Sequence, residues 1–297
     1  MGQAFAQHSQ SIPTASAKGR NWHEGKRQSM ILNRSLRAVL PHLPDPLLVR
    51  LLLSRPYLLE SLPKGTQFVY PYRNLRAHVE VGNAIEEEIV KYGEYDTESC
   101  STIRHFVKPG MVCIDVGANV GLLSMLMAQL GASVYAFEPG PPYIKRMQAN
   151  LRLNPQLASR VTIEQLGLAD KSGTLFWASD PTASYNAALN ASTGVSVPVT
   201  TVDDYAKSMI RLDFMKIDVE SMELEVLKGA QATLRRLKPI LYFETMEWAR
   251  KFRGFDVFAE IEALLKDAGY AMYDLCEGKL VQVHADRLPL NTIARPA

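Results

Sequence analysis

The stretch that most constrains this chain is Met111-Val112-Cys113-Ile114-Asp115-Val116-Gly117-Ala118-Asn119-Val120-Gly121. Met111 to Val116 is an apolar, largely β-branched run broken only by Asp115, the pattern of a central parallel strand buried on both faces. Gly117 permits a tight turn where a Cβ would clash, and Gly121 lets the first turn of a helix come close to a ligand or a neighbouring strand. Val120 to Leu130 is apolar nearly all round, so the helix that follows should be largely buried.

Ser133 to Phe137 reads as the next strand and ends in Glu138-Pro139. Glu138 falls about twenty residues past the glycine turn, where a carboxylate accepts from the 2′ and 3′ hydroxyls of a ribose. A dinucleotide site would show G-x-G-x-x-G with a pyrophosphate on the helix N-terminus. Here the glycines are offset and Asp115 precedes the turn, which disfavours an anion beside it. A ligand with a ribose, an ammonium group and no phosphate fits better, and S-adenosylmethionine is such a ligand. Its ammonium would meet Asp115 or carbonyls of the turn. The plain alternative, Asp115 as a helix cap and the glycines as simple turn residues, leaves the position of Glu138 unexplained.

Four segments in order, Asp115-Val116-Gly117-Ala118-Asn119-Val120-Gly121, Phe137-Glu138-Pro139, Lys216-Ile217-Asp218-Val219-Glu220 and Val226-Leu227-Lys228-Gly229-Ala230, resemble those of the FkbM family of S-adenosylmethionine-dependent methyltransferases. The likeness runs from roughly Gly93 to Thr245, and it departs from the family at Ser221, where a glycine usually follows the Asp-Val-Glu triplet. The resemblance implies a seven-stranded, doubly wound, Rossmann-like α/β sheet of the class I methyltransferase kind. It implies cofactor contacts at Asp115, Gly117, Asn119, Gly121, Glu138 and Asp218. In such folds the adenine meets the end of the third strand, here Leu166 and Gly167, and the region before the first strand, with Tyr95 and Glu98, sits beside the cofactor. It also implies a hydroxyl acceptor on a sugar, lipid-linked compound or secondary metabolite; N-methylation and a non-catalytic cofactor-binding module are the alternatives.

Asp218 and Glu220 close the fourth strand and Glu244 the fifth, at the edge where open parallel sheets collect catalytic groups. One of them would act as the base for a hydroxyl acceptor. Alternatively, Asp218 and Glu244 would hold Mg²⁺, since hard oxygen ligands suit that ion. Glu220 has a competing role as a cap on the next helix.

The rest of the chain frames this unit. Residues 1–30 are polar, lack the apolar core of a signal peptide and read as a disordered tail. Residues 31–92 read as a cap of short helices, chopped by Pro41, Pro44, Pro46 and Pro56, with a short strand pair; residues 93–297 form the catalytic domain. Ser179 to Gly194 is a long polar insert, a lid or a connector. Glu223 to Leu237 is expected as one helix, and Tyr270 to Val283 as a terminal hairpin. A net charge of +2 over 297 residues gives no case for nucleic acid, and no apolar run is long enough to span a bilayer. Three unpaired cysteines fit a reducing, cytoplasmic setting, and a homo-oligomer is compatible with all of this.

Overall fold

The structure, a computed structural model, describes residues 39–179, 187–189, 193–245 and 256–297. The expected tail and most of the Ser179 to Gly194 insert lie outside the described residues. The chain divides into two compact units.

The first unit comprises, among described residues, 39–74 and 79–95. Proline sets its rhythm, as expected. Helix α1 (Asp45–Ser54) has a proline in its first turn, where a missing N–H costs nothing, and Pro56 opens a 3₁₀ segment, Pro56–Ser61. Leu48, Leu52, Leu58 and Leu59 form its apolar interior. Strands β1 (Gln67–Tyr72) and β2 (Leu75–Glu80) make a two-stranded sheet, and Leu75–His78 of β2 partition with the second unit. Helix α2 (Ala84–Lys91) is capped by Asn83, whose side chain accepts from the Glu86 amide.

The second unit is a doubly wound α/β structure. Helix α3 (Thr97–Phe106), capped by Asp96, leads into β3 (Val112–Val116). Then follow α4 (Leu122–Gln129), β4 (Ser133–Phe137), α5 (Pro141–Leu153), β5 (Val161–Glu164) and β6 (Gly167–Leu168). Next come β7 (Gly173–Ser179), β8 (Ala187–Leu189), β9 (Val195–Thr200), α6 (Val202–Ala206) and β10 (Phe214–Ile217). The chain continues through α7 (Glu223–Lys228), α8 (Gln231–Leu237), β11 (Ile240–Glu244), α9 (Val257–Asp267), β12 (Tyr270–Cys276), β13 (Lys279–Gln282) and β14 (Asn291–Pro296).

The main sheet has eight strands in the order β13-β12-β14-β11-β10-β3-β4-β5. Strands β5, β4, β3, β10 and β11 are parallel, and β14 runs antiparallel to both β11 and β12. The expected doubly wound sheet is therefore present, with one strand more than the seven anticipated. The anticipated hairpin is β12–β13, but β14 slots between it and β11. Ile114, Val116, Phe137, Met215, Ile217, Leu241 and Phe243 fill the core from adjacent strands. A second, four-stranded sheet in the order β6-β9-β7-β8 grows from the end of β5.

Two local departures have plain causes. The helix begins at Leu122, not Val120, because Gly121 is left-handed (φ 84°) and serves as its cap. The expected Glu223 to Leu237 helix breaks into α7 and α8 around Gly229, where a Cβ would lie 2.1 Å from the Ala169 carbonyl oxygen.

Candidate active site

Strand order reverses between β3 and β10: the chain winds outward from β3 through β4 and β5, then returns to lay β10 and β11 on the other side. Ligands of such sheets bind at this switch point, outside the C-terminal ends of the strands. Two turns meet there, because Val116 and Ile217 are in register. The first leaves β3. Gly117 (φ 76°) packs so tightly that a Cβ would sit 1.8 Å from the carbonyl oxygen of Asp218 in the second turn. The amides of Gly117 and Ala118 both donate to the Phe137 carbonyl, at 3.0 and 2.9 Å.

Glu138 locks this turn to the end of β4. Its Oε2 accepts from the Asn119 amide (2.9 Å) and its Oε1 from the Gly140 amide (2.7 Å). Burial pushes its carboxyl up to about 7, against the pull of those two amides and of Lys216. Each oxygen keeps a second lone pair, so two further donors can still be accepted. Leu166 and Gly167 follow β5 at the same edge, where Glu164 accepts from the Glu138 amide (3.1 Å) and from the Leu166 amide (2.9 Å).

Lys216 ties the two turns together. It is 3% exposed, and its Nζ lies 3.4 Å from Asp115 Oδ1, 3.2 Å from Asp218 Oδ2 and 3.2 Å from the Gly117 carbonyl oxygen. Burial alone would lower its pKa, but Asp218 and Asp115 outweigh it and hold the ammonium well above the ordinary lysine value. Asp115 is fully buried and also accepts from Ser124 Oγ at 2.5 Å. Through Lys216 and Ser124 it has an internal role as well, bracing the turn from beneath. Asp218, a third exposed, remains at the surface.

The second turn carries the acids. Glu220 (φ 53°) and Ser221 (φ 79°) are both left-handed, a conformation disfavoured for residues with a Cβ. Ser221 therefore keeps the backbone geometry that a glycine would adopt. Glu220 does not cap α7, whose N-cap Met222 makes no side-chain cap bond; Glu223 Oε1 instead reaches back to accept from the Val219 amide of the turn at 3.1 Å. Burial pushes the Glu220 carboxyl up to about 8, helped by the charges of Asp218 and Glu223. Glu244, at the end of β11, is pushed up to about 9, first by burial and then by Asp218, Glu223 and Glu220. The sequence thus assembles Asp218, Glu220 and Glu244 within mutual electrostatic reach, with Glu223 as a fourth.

Of the remaining expected residues, Glu98 is exposed and accepts from the Asn291 side chain (3.1 Å), and Asn291 is register partner to Glu244. Tyr95 belongs to the first unit. The Mg²⁺ expectation at Asp218 and Glu244 gains no support: among the described residues no group of three or more His, Cys, Asp or Glu could hold a metal ion. Asp218 has an ammonium, Lys216, as its neighbour. Sequence reasoning gave Lys216 no role: a lysine inside the apolar run Phe214–Ile217 was visible, but its register with Asp115 was not. It also passed over Trp177 and Tyr143, which nothing in the pattern distinguished from core aromatics.

Sheet order and switch-point turns define a class I, Rossmann-like methyltransferase. The sequence profile described as the methyltransferase FkbM domain matches residues 115–272, more than half of the chain, and the chain belongs to the FkbM methyltransferase family. The 31-O-demethyl-FK506 methyltransferase FkbM of Streptomyces tacrolimicus is 31% identical, over 66% of this chain and 85% of its own length. Methyltransferase sdnD of Sordaria araneosa is 29% identical, over 63% of this chain and 83% of its own. The hexuronic acid methyltransferase AglP of Haloferax volcanii is 31% identical over a shorter stretch, 43% of this chain and 53% of its own. Among the described residues, no helix is long and apolar enough to cross a membrane.

Proposed function

We propose that this protein transfers a methyl group from S-adenosylmethionine to a hydroxyl of a small-molecule, glycan or lipid-linked acceptor. The observation that carries the reading is the pair of linked turns at the switch point: a ribose-ready carboxylate, Glu138, on one side and a row of acids, Asp218, Glu220 and Glu244, on the other. The residues fit the cofactor. Glu138 retains lone pairs for two ribose hydroxyls, and the part-exposed Asp218 carboxylate faces an ammonium group's side of the site. The names of two relatives, one acting at an oxygen of FK506 and one on a hexuronic acid, support a hydroxyl-bearing acceptor.

The bound cofactor supplies an already activated methyl group on a cationic sulfonium. The chain's own work is then to hold the acceptor in line and to take its proton, which is positioning plus general-base chemistry. Asp218 is engaged by Lys216, and Glu223 by the Val219 amide, so neither is the base. Glu220 is half-buried in the second turn, and its raised pKa of about 8 suits proton uptake near neutral pH. We assign it as the base, with burial and the charges of Asp218 and Glu223 keeping its pKa high.

Two measurements test this. Calorimetric titration with S-adenosylhomocysteine should give micromolar binding that Glu138→Ala abolishes, with none for NAD; binding of NAD instead would overturn the cofactor. Transfer of labelled methyl groups to a panel of hydroxylated acceptors should fall by about 10²–10⁴ in Glu220→Gln. The wild-type rate should rise with pH through about 8, because the base must be ionised. Unchanged turnover in Glu220→Gln would reassign the base or favour a nitrogen acceptor.

A further inference from the structure

We propose that Trp177, backed by Tyr143, is the aromatic wall against which the adenine ring of the cofactor stacks. The inference rests on the S-adenosylmethionine reading and adds a contact that the four motifs do not contain. Trp177 lies in β7, outside the main sheet. Strand β7 is antiparallel to β9, and β9 is parallel to β6, which starts at Gly167 just past the end of β5. The second sheet thus carries Trp177 back over the edge where Glu138 sits.

The contact there is close and specific. A Cβ built on Gly140 would lie 2.5 Å from Trp177 Cζ2, 2.7 Å from its Cε2 and 2.9 Å from Glu138 Oε1. Indole ring, Gly140 backbone and the ribose-ready carboxylate therefore converge within the space of one methyl group. Only glycine at position 140 lets the ring come so near. Tyr143, from the first turn of α5, meets the indole edge-on, with centroids 5.8 Å apart and planes at 89°, which fixes the tilt of the indole. Burial raises the pKa of the Tyr143 hydroxyl, with the charges of Glu138 and Glu220 adding to it.

Trp177 is 5% exposed, whereas its neighbour Phe176 on the opposite face of β7 is 46% exposed. The indole face of the strand is the one turned to the main sheet. A base joined to a ribose held by Glu138 is one glycosidic bond from that carboxylate's hydroxyl partners, which brings it to the indole. A base seated beside the ring changes the surroundings of the indole, and the indole emission should report it.

The test uses a Trp22→Phe, Trp248→Phe background, in which Trp177 is the sole tryptophan. S-adenosylhomocysteine and adenosine should both quench its emission, and methionine should not. By calorimetry, Trp177→Leu should weaken S-adenosylhomocysteine binding by roughly 5- to 100-fold, as loss of one base–aromatic stack does, and Trp177→Phe should retain most of the affinity. Binding of S-adenosylhomocysteine with unaltered affinity in Trp177→Leu overturns the wall and leaves the cofactor assignment standing. Should the leucine variant fail to fold, the emission of the parent decides: calorimetric binding without quenching overturns the wall equally. No binding to the wild-type chain overturns both the wall and the cofactor.

Discussion

The turn after β3 and the turn after β10 leave neighbouring parallel strands in register, yet they solve the same geometric problem in opposite ways. Both use left-handed backbone. In the first it falls on Gly117, Asn119 and Gly121, residues that adopt it readily. In the second it falls on Glu220 and Ser221, which do not. The first turn is shaped by what it lacks: without side chains at Gly117 and Gly121 the backbone can approach Asp218 and Met147. The second is shaped by what it carries, and it holds acids forward at the cost of an unfavourable conformation. Relaxed backbone suits binding by shape, whereas strained backbone at a site of chemistry is a means of fixing a charged group in place.

The largest effect should come from cutting the link between the turns. Lys216→Met leaves Asp115 and Asp218 without their cation, and loss of one partner from such a buried arrangement costs about 3–5 kcal/mol. Urea denaturation measures it; a loss below about 1 kcal/mol would show that the serine and the solvent suffice for the two acids. Next, Gly117→Ala should destabilise by about 3 kcal/mol, combining left-handed strain with a collision against the backbone of Asp218.

A third experiment addresses charge in the second turn. Burial raises the carboxyls of Glu138 and Glu223 to about 7, Glu220 to about 8 and Glu244 to about 9. The folded chain then binds more protons than the unfolded one, so stability falls as pH rises from the ordinary glutamate range toward 9. Thermal melting should show a higher midpoint at mildly acidic than at alkaline pH, and Glu244→Gln should flatten that slope from its alkaline side. A slope of the opposite sign would mean that the acids are not desolvated together. The smallest effect tests the strain itself: Ser221→Gly should stabilise by about 1 kcal/mol, since glycine relieves the left-handed penalty but loses some entropy on folding. No gain would show that contacts of the Ser221 side chain offset the strain.

Much of this site was legible before any coordinates. The glycine turn, Glu138 and the acids closing β10 and β11 announce themselves because strand ends and turns are written in local residue chemistry. What escaped was non-local. Lys216 takes its meaning from a register with Asp115, a hundred residues earlier in the chain to within a few positions. Gly229, where α7 ends, has no room for a side chain because of a carbonyl on Ala169, and Trp177 comes close because Gly140 has no side chain. Strand β14 was missed because its six residues follow a proline-bearing loop and close on Pro296, signals that read as an irregular tail. Even the replacement of a family glycine by Ser221, plain in the sequence, gave no hint that the backbone would keep a glycine's conformation.

The place of β14 has a consequence for how the molecule is made. Asn291–Pro296 are synthesised after every other described strand, yet they sit between β11 and β12, and the β12–β13 hairpin reaches the sheet through them. Until those residues leave the ribosome, β11 has an open edge and the hairpin has nothing to join. The nucleotide half of the sheet, β3 to β5, can assemble earlier in translation, but the half bearing Glu244 must wait until β14 has emerged. A nascent chain is therefore expected to form the first turn early and the Glu244 edge last, with a hydrophobic strand edge open to chaperones in between.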